Sequence, residues 1–139
     1  MIWPLRWRTP RAVINAGVRR QLRGDIAGAR RAYQRAIDTD NHHSKPAGLW
    51  WMGSLLHREG QHDDARWYFQ RAVDSRHEAW APRAAIDIGD ILVAQGKTSR
   101  ARRYYLTAIA YDSPSNPGGA VWARRARARL DAMLDQTND

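Results

Sequence analysis

The chain contains no cysteine, so disulfides and thiolate metal sites are excluded and nothing in it calls for an oxidising compartment. Long apolar runs are missing too. The opening MIWPLRWRTP carries two arginines and two prolines where a leader peptide would need an unbroken apolar core, and no later stretch reaches membrane-spanning length. A soluble, cytoplasmic protein is the expectation. Lysine is nearly absent, with Lys45 and Lys97 against a net charge of +9, so arginine carries the positive excess. Such a balance attracts nucleic acid, acidic proteins or anionic membranes, and a coding bias toward arginine produces the same composition. With 139 residues, of which 43% are hydrophobic and 27% charged, the chain is of globular type and long enough to bury a core.

What is present in abundance is repetition. GDIAGARRAYQRAI, GQHDDARWYFQRAV and GKTSRARRYYLTAI stand 36 residues apart. Gly24, Gly60 and Gly96 recur at that period, as do Ala29, Ala65 and Ala101, the aromatic Tyr33, Phe69 and Tyr105, and Ala36, Ala72 and Ala108. Gly17, Gly53 and Gly89 precede each turn glycine by seven residues, and Pro10, Pro46 and Pro82 mark each unit further upstream. Apolar spacing within a unit is helical on both sides of the turn glycine, as in Leu49, Met52, Gly53 and Leu56 and then Ala65, Phe69, Ala72 and Val73. Each unit is therefore read as helix, glycine turn, helix, with proline at the first helical position and glycine in a left-handed terminus. A glycine inside a helix costs about 1 kcal/mol against alanine, so three of them imply close helix packing. The recurrent aromatic is expected to fill the space between neighbouring units.

The predicted fold is all-α: a right-handed α-solenoid of three repeats, about 10–45, 46–81 and 82–117, in a single domain. YDSPSNPGG reads as a loop, and AVWARRARARLDAML as a C-terminal capping helix over about 118–134. At the other end Ile2, Trp3, Leu5 and Trp7 either fold back over the first helix or form a sticky edge through which a homodimer assembles.

Glycine followed by x-x-Leu, then Gly, then Ala-x-x-x-Tyr/Phe-x-x-Ala, resembles the tetratricopeptide repeat over roughly residues 10–112. LWWMGSLLHREGQHDDARWYFQRA carries the best match, and Arg20 departs from the pattern in the first unit. The 36-residue period and the APRAA start look like arrays of actinobacterial, hence bacterial, proteins, with Sel1-like repeats as neighbours. The resemblance implies a protein-interaction scaffold whose first helices line a concave groove for a peptide or partner segment. The groove positions are then Ile14, Val18, Trp50, Ser54, His57, Arg83, Asp87, Asp90 and Trp122. Chaperone-tail binders of this family hold a terminal carboxylate in a clamp of cationic and amide side chains. The matching places here are Ile14, Val18, Trp51, Arg83 and Asp87, where only Arg83 fits, so a chaperone tail is not the expected ligand.

The opposite, convex side is expected to carry Arg30, Arg66 and Arg102, followed by Arg31 and Arg103, then Arg35 and Arg71, and continued by Arg124, Arg125, Arg127 and Arg129. That pattern supports a second reading, in which nucleic acid or a membrane surface binds the arginine rows. Catalysis is not expected. Asp87 and Asp90 lack any companion base or nucleophile motif, and His42, His43, His57, His62 and His77 fall at no metal-ligand spacing, so neither a metal nor another cofactor is called for.

Overall fold

The computed structural model describes residues 10–137, and the N-terminal tryptophans and their expected fold-back lie outside that range. Seven helices follow one another among the described residues: α1 (Pro10–Leu22), α2 (Ile26–Ile37), α3 (Ser44–Arg58), α4 (His62–Asp74), α5 (Trp80–Ala94), α6 (Thr98–Ile109) and α7 (Gly119–Thr137). Beyond an isolated bridge between Ser113 and Asn116 in the last loop, these residues form no β-structure. The all-α repeat fold expected from the 36-residue period is the one found. Backbone packing divides the chain into two compact units, one ending at Tyr68 and the other beginning at Phe69, with the division inside α4.

The turn inside each hairpin is built identically three times. Gly24, Gly60 and Gly96 have φ of +80°, +78° and +73°, in the left-handed region that a side chain disfavours. In the first turn the Gly24 N–H donates to the Gln21 carbonyl at 3.0 Å, and the Asp25 N–H to that of Arg20 at 2.9 Å. The second and third turns repeat the pair, from Gly60 to His57 and Gln61 to Leu56, then from Gly96 to Val93 and Lys97 to Leu92. These are Schellman termini, which satisfy carbonyls that the helix end leaves open.

The prolines depart from the expected position. α3 begins at Ser44 and α5 at Trp80, so Pro46 and Pro82 occupy the third residue of their helices rather than the first. The placement is still without penalty, since none of the first four amides of a helix has an intrahelical partner.

In the unit ending at Tyr68, α1 packs on α2, α2 on α3, and α1 on α3. Gly17 gives Tyr33 its seat: a Cβ at residue 17 would lie 2.5 Å from Tyr33 Cε1 and 2.9 Å from Cδ1. The ring, wholly buried, thus fills space inside its own hairpin, where the sequence suggested only the gap between units. It reaches the following repeat as well, stacking on Trp51 with centroids 5.9 Å apart and planes at 18°. Its hydroxyl donates to Gln21 Oε1 at 2.7 Å.

In the unit beginning at Phe69, α5 packs on α6, α6 on α7, and α5 on α7. The terminal helix covers both members of the last hairpin, as a capping helix should. Asn116 anchors the loop before it, donating from Nδ2 to the Glu78 and Tyr111 carbonyls at 3.1 and 3.2 Å. The core here is rich in small and branched residues, with Ala81, Ala84, Ala85, Ile88 and Leu92 of α5 wholly buried.

Candidate functional site

α3 and α5 are buried around most of their circumference, so each leaves only a narrow stripe to solvent. On α5 the half-buried residues are Trp80, Arg83, Asp87, Asp90 and Val93, at steps of three and four that form one helical face. α7 brings half-buried Trp122 and the exposed Arg125 and Arg129 to the same side. The two helices meet along this face. Arg83 reaches Trp122 and Asp90 reaches Arg129, each pair 39 residues apart, so α5 and α7 run parallel and in register.

At one end of this seam the Arg83 guanidinium carbon is 5.5 Å from the Trp80 ring centroid and 5.3 Å from that of Trp122. Arg125 stacks on Trp122 as well, at 5.0 Å. These separations are within cation–π range, so two indoles from two helices hold Arg83 against aromatic faces. Burial lowers the Arg83 pKa from its ordinary value; the nearby Asp87 carboxylate opposes that shift and Arg125 adds to it. The guanidinium remains charged, because even a lowered arginine stays far above neutrality.

At the other end Asp90 joins three helices. Arg129 donates to both of its oxygens, from Nε at 2.9 Å and from Nη2 at 3.3 Å, and the Tyr105 hydroxyl donates to Oδ1 at 2.7 Å. Hydrogen bonding to Asp90 raises the Arg129 pKa. Desolvation raises that of Tyr105, helped by the same carboxylate. Asp90, expected in the groove, is thus a structural tie between α5, α6 and α7.

Arg83, Asp87, Asp90 and Trp122 therefore share one face, as the sequence suggested for the second half of the groove. Two of the unit-one candidates do not follow. Ile14 and Trp50 are 8% and 7% exposed and belong to the core. Trp50 abuts Trp51 edge to face, with centroids at 4.9 Å, and it is Trp51 that shares the half-buried stripe of α3 with Ser54. Val18 is half-buried on α1, and His57 is exposed at the end of α3. Across the Gly60 turn, His57 Nδ1 is 2.9 Å from His62 Nδ1, with one imidazole donating to the other. No group of three or more histidine and carboxylate side chains able to hold a metal occurs among the described residues.

The arginines of the second helices also divide. Arg30, Arg31, Arg35, Arg102 and Arg103 are exposed, while Arg66 and Arg71 are half-buried and Arg66 lies 3.9 Å from Asp63. Arg125 and Arg129 do not continue these rows, since both turn toward α5; Arg127 pairs with Asp112 at 3.3 Å, and Arg124 is exposed. Sequence reasoning missed Trp80 and assigned Arg125 and Arg129 to the wrong face. The 39-residue offset that brings α7 onto α5 differs from the 36-residue repeat and could not be read from it.

Chemically, the seam presents partly exposed indoles and guanidinium groups with the Asp87 carboxylate among them. No helix among the described residues is long and apolar enough to cross a membrane. The model of the tetratricopeptide repeat family matches residues 18–81 and 86–132. A search of curated proteins gave no match.

Proposed function

Since the chain belongs to the tetratricopeptide repeat family, whose repeats generally mediate protein–protein interaction, we propose that it is a non-enzymatic interaction module or adaptor that holds a partner segment on the α5–α7 seam. The observation that carries this reading is the pair of half-buried indoles, Trp80 and Trp122, bracketing Arg83. Tryptophan and arginine dominate the energetics of protein interfaces, because each combines large apolar contact with a directional polar group. Their rigid arrangement here lowers the ordering penalty when a partner docks. A terminal carboxylate held by a chaperone-type clamp fits poorly beside Asp87, so an internal, extended or helical segment is the ligand in this reading. A cytoplasmic location goes with it, on the cysteine-free composition.

The test is to recover a partner by in-cell cross-linking from a photoreactive residue at Ala128, synthesise the cross-linked segment, and titrate it calorimetrically. Trp122→Ala should weaken that segment about 30-fold, the equivalent of about 2 kcal/mol at a central anchor. Unchanged affinity in a variant that keeps its helical circular dichroism would sink the assignment. Cross-links solely to a second copy of the chain would show self-assembly instead.

A further inference from the structure

A second feature belongs entirely to the unit ending at Tyr68. Between α1 and α2 the surface forms a shallow concavity rimmed by four arginines, Arg19 and Arg20 from α1 and Arg31 and Arg35 from α2. Its floor is made of small residues, among them Ala16, Gly28 and Ala32. At Gly28 the side-chain ends of Asp25 and Arg20 come close over the backbone, with Arg20 Nη1 2.7 Å from where a Cβ would lie. The small floor lets four long cationic side chains surround one place without an apolar group filling it.

Only one of the four guanidinium groups is compensated. Arg20 pairs with Asp25 at 3.3 Å, and Asp25 also accepts the Gly28 N–H at 2.9 Å as the cap of α2. Arg19, Arg31 and Arg35 have no carboxylate partner among the described residues, and the first nine residues of the sequence contain no Asp or Glu. Like charges lining one concavity repel, and a multivalent anion between them offsets the repulsion while gaining charge-assisted, bidentate hydrogen bonds. The side chains come from two helices joined by a Schellman turn.

We propose that this four-arginine concavity is a binding site for a compact polyanion carrying two or more adjacent phosphoryl groups. Its composition selects that ligand class. Among the described residues no aromatic ring lines the concavity, so these residues supply no stacking platform of the kind with which proteins hold the bases of single strands. The cations are concentrated around one hollow, whereas a duplex backbone would be tracked by charges strung along a line. An isolated monoanion would satisfy one guanidinium and leave the others in conflict, while a chain of phosphoryl groups reaches several. This site is independent of the α5–α7 seam, and each can fail without the other.

Calorimetric titration of the full chain with inorganic tripolyphosphate tests the assignment, with orthophosphate, a short DNA duplex and vesicles containing phosphatidylinositol bisphosphate as the other arms. Tripolyphosphate should bind at least about tenfold more tightly than orthophosphate, and more weakly as salt screens the charges. Arg31→Gln with Arg35→Gln should weaken tripolyphosphate at least about tenfold without lowering the melting temperature, since all the altered groups are exposed. The charge-matched pair Arg102→Gln with Arg103→Gln, on the corresponding helix of the third repeat, should stay within about twofold of the parent. Equal losses in the two pairs would reduce the effect to the general field of a basic protein and overturn the site. Tripolyphosphate no tighter than orthophosphate would overturn it also. Tighter binding of duplex or vesicle, sensitive to the Arg31 and Arg35 changes, would refute the compact ligand in favour of that source.

Discussion

Tyr105 occupies the space that a side chain at Gly89 would need. A Cβ on residue 89 would lie 2.8 Å from Tyr105 Cζ and 2.9 Å from Cδ1, and the ring is held from behind through its hydroxyl bond to Asp90. Tyr33 and Gly17 repeat the relation in the first hairpin. The glycine inside each of these helices is there to receive a ring. What offsets its poor helix propensity is the burial of a whole tyrosine.

Gly89→Ala sets two effects against each other. Alanine gains about 1 kcal/mol of helix propensity, while overpacking a filled core costs about 1–3 kcal/mol. Because Tyr105 is pinned at its hydroxyl, the clash should prevail, with a net loss of about 1–2 kcal/mol in urea unfolding. Adding Tyr105→Leu should recover part of that loss relative to Tyr105→Leu alone, since the smaller side chain relieves the contact.

Gly96 presents the opposite case. No atom lies within 4 Å of where its Cβ would be, so sterics with neighbours are irrelevant and only its φ of +73° matters. Gly96→Ala should destabilise by about 1 kcal/mol and Gly96→Asn by less, because asparagine tolerates the left-handed region better. Thermal denaturation of the two variants checks the order. Equal stability of glycine and alanine would mean that the turn relaxes.

The Asp90–Arg129 pair ties α7 to α5 in a two-point geometry, although both side chains remain partly exposed at 39% and 49%. Exposure argues for a modest contribution and the bidentate fit for one near the top of the surface range. A double-mutant cycle of Asp90→Asn and Arg129→Gln should give a coupling of about 1 kcal/mol. It should shrink in high salt. The single Asp90→Asn change should also loosen Tyr105, visible as faster hydrogen exchange near α6.

Burial lifts the Tyr33 pKa from about 10 to about 12. An acid whose pKa is raised on folding binds its proton in the native state where the unfolded chain has lost it. Stability from this group is therefore full below about pH 10 and falls as the pH climbs toward about 12. Urea unfolding from pH 8 to pH 12 should show that decline, and Tyr33→Phe should make it shallower, leaving the part due to Tyr105, while lowering stability at pH 8 through loss of the Gln21 bond. A profile as steep in Tyr33→Phe as in the parent would exclude Tyr33 as its source.

The repeat, the glycine turns and the C-terminal helix were legible because each rests on local rules that recur at a fixed period. Gly24, Gly60 and Gly96 announce their backbone conformation in the sequence itself. The face of α5 was legible for the same reason, through the helical spacing of Arg83, Asp87 and Asp90. Trp50 was not, because α3 is buried on nearly every side and adjacent tryptophans give no periodic clue to which one lies outward. The approach of Trp122 to Arg83, and of Arg129 to Asp90, depends on how far the last loop displaces α7 from the repeat. The four-arginine concavity escaped notice because Arg19 and Arg20 belong to the least regular first helix. Their nearness to Arg31 and Arg35 is a property of the folded hairpin.

Gly17 and Tyr33 are sixteen residues apart, and so are Gly89 and Tyr105, with a Schellman turn between them each time. One residue more or fewer in that interval would swing the ring about 100° around its helix and away from its seat. The segments 38–43 and 75–79, which join successive hairpins, carry no such constraint and already differ in length. Insertions and deletions in this chain are consequently tolerable at the joints between hairpins and destructive within them.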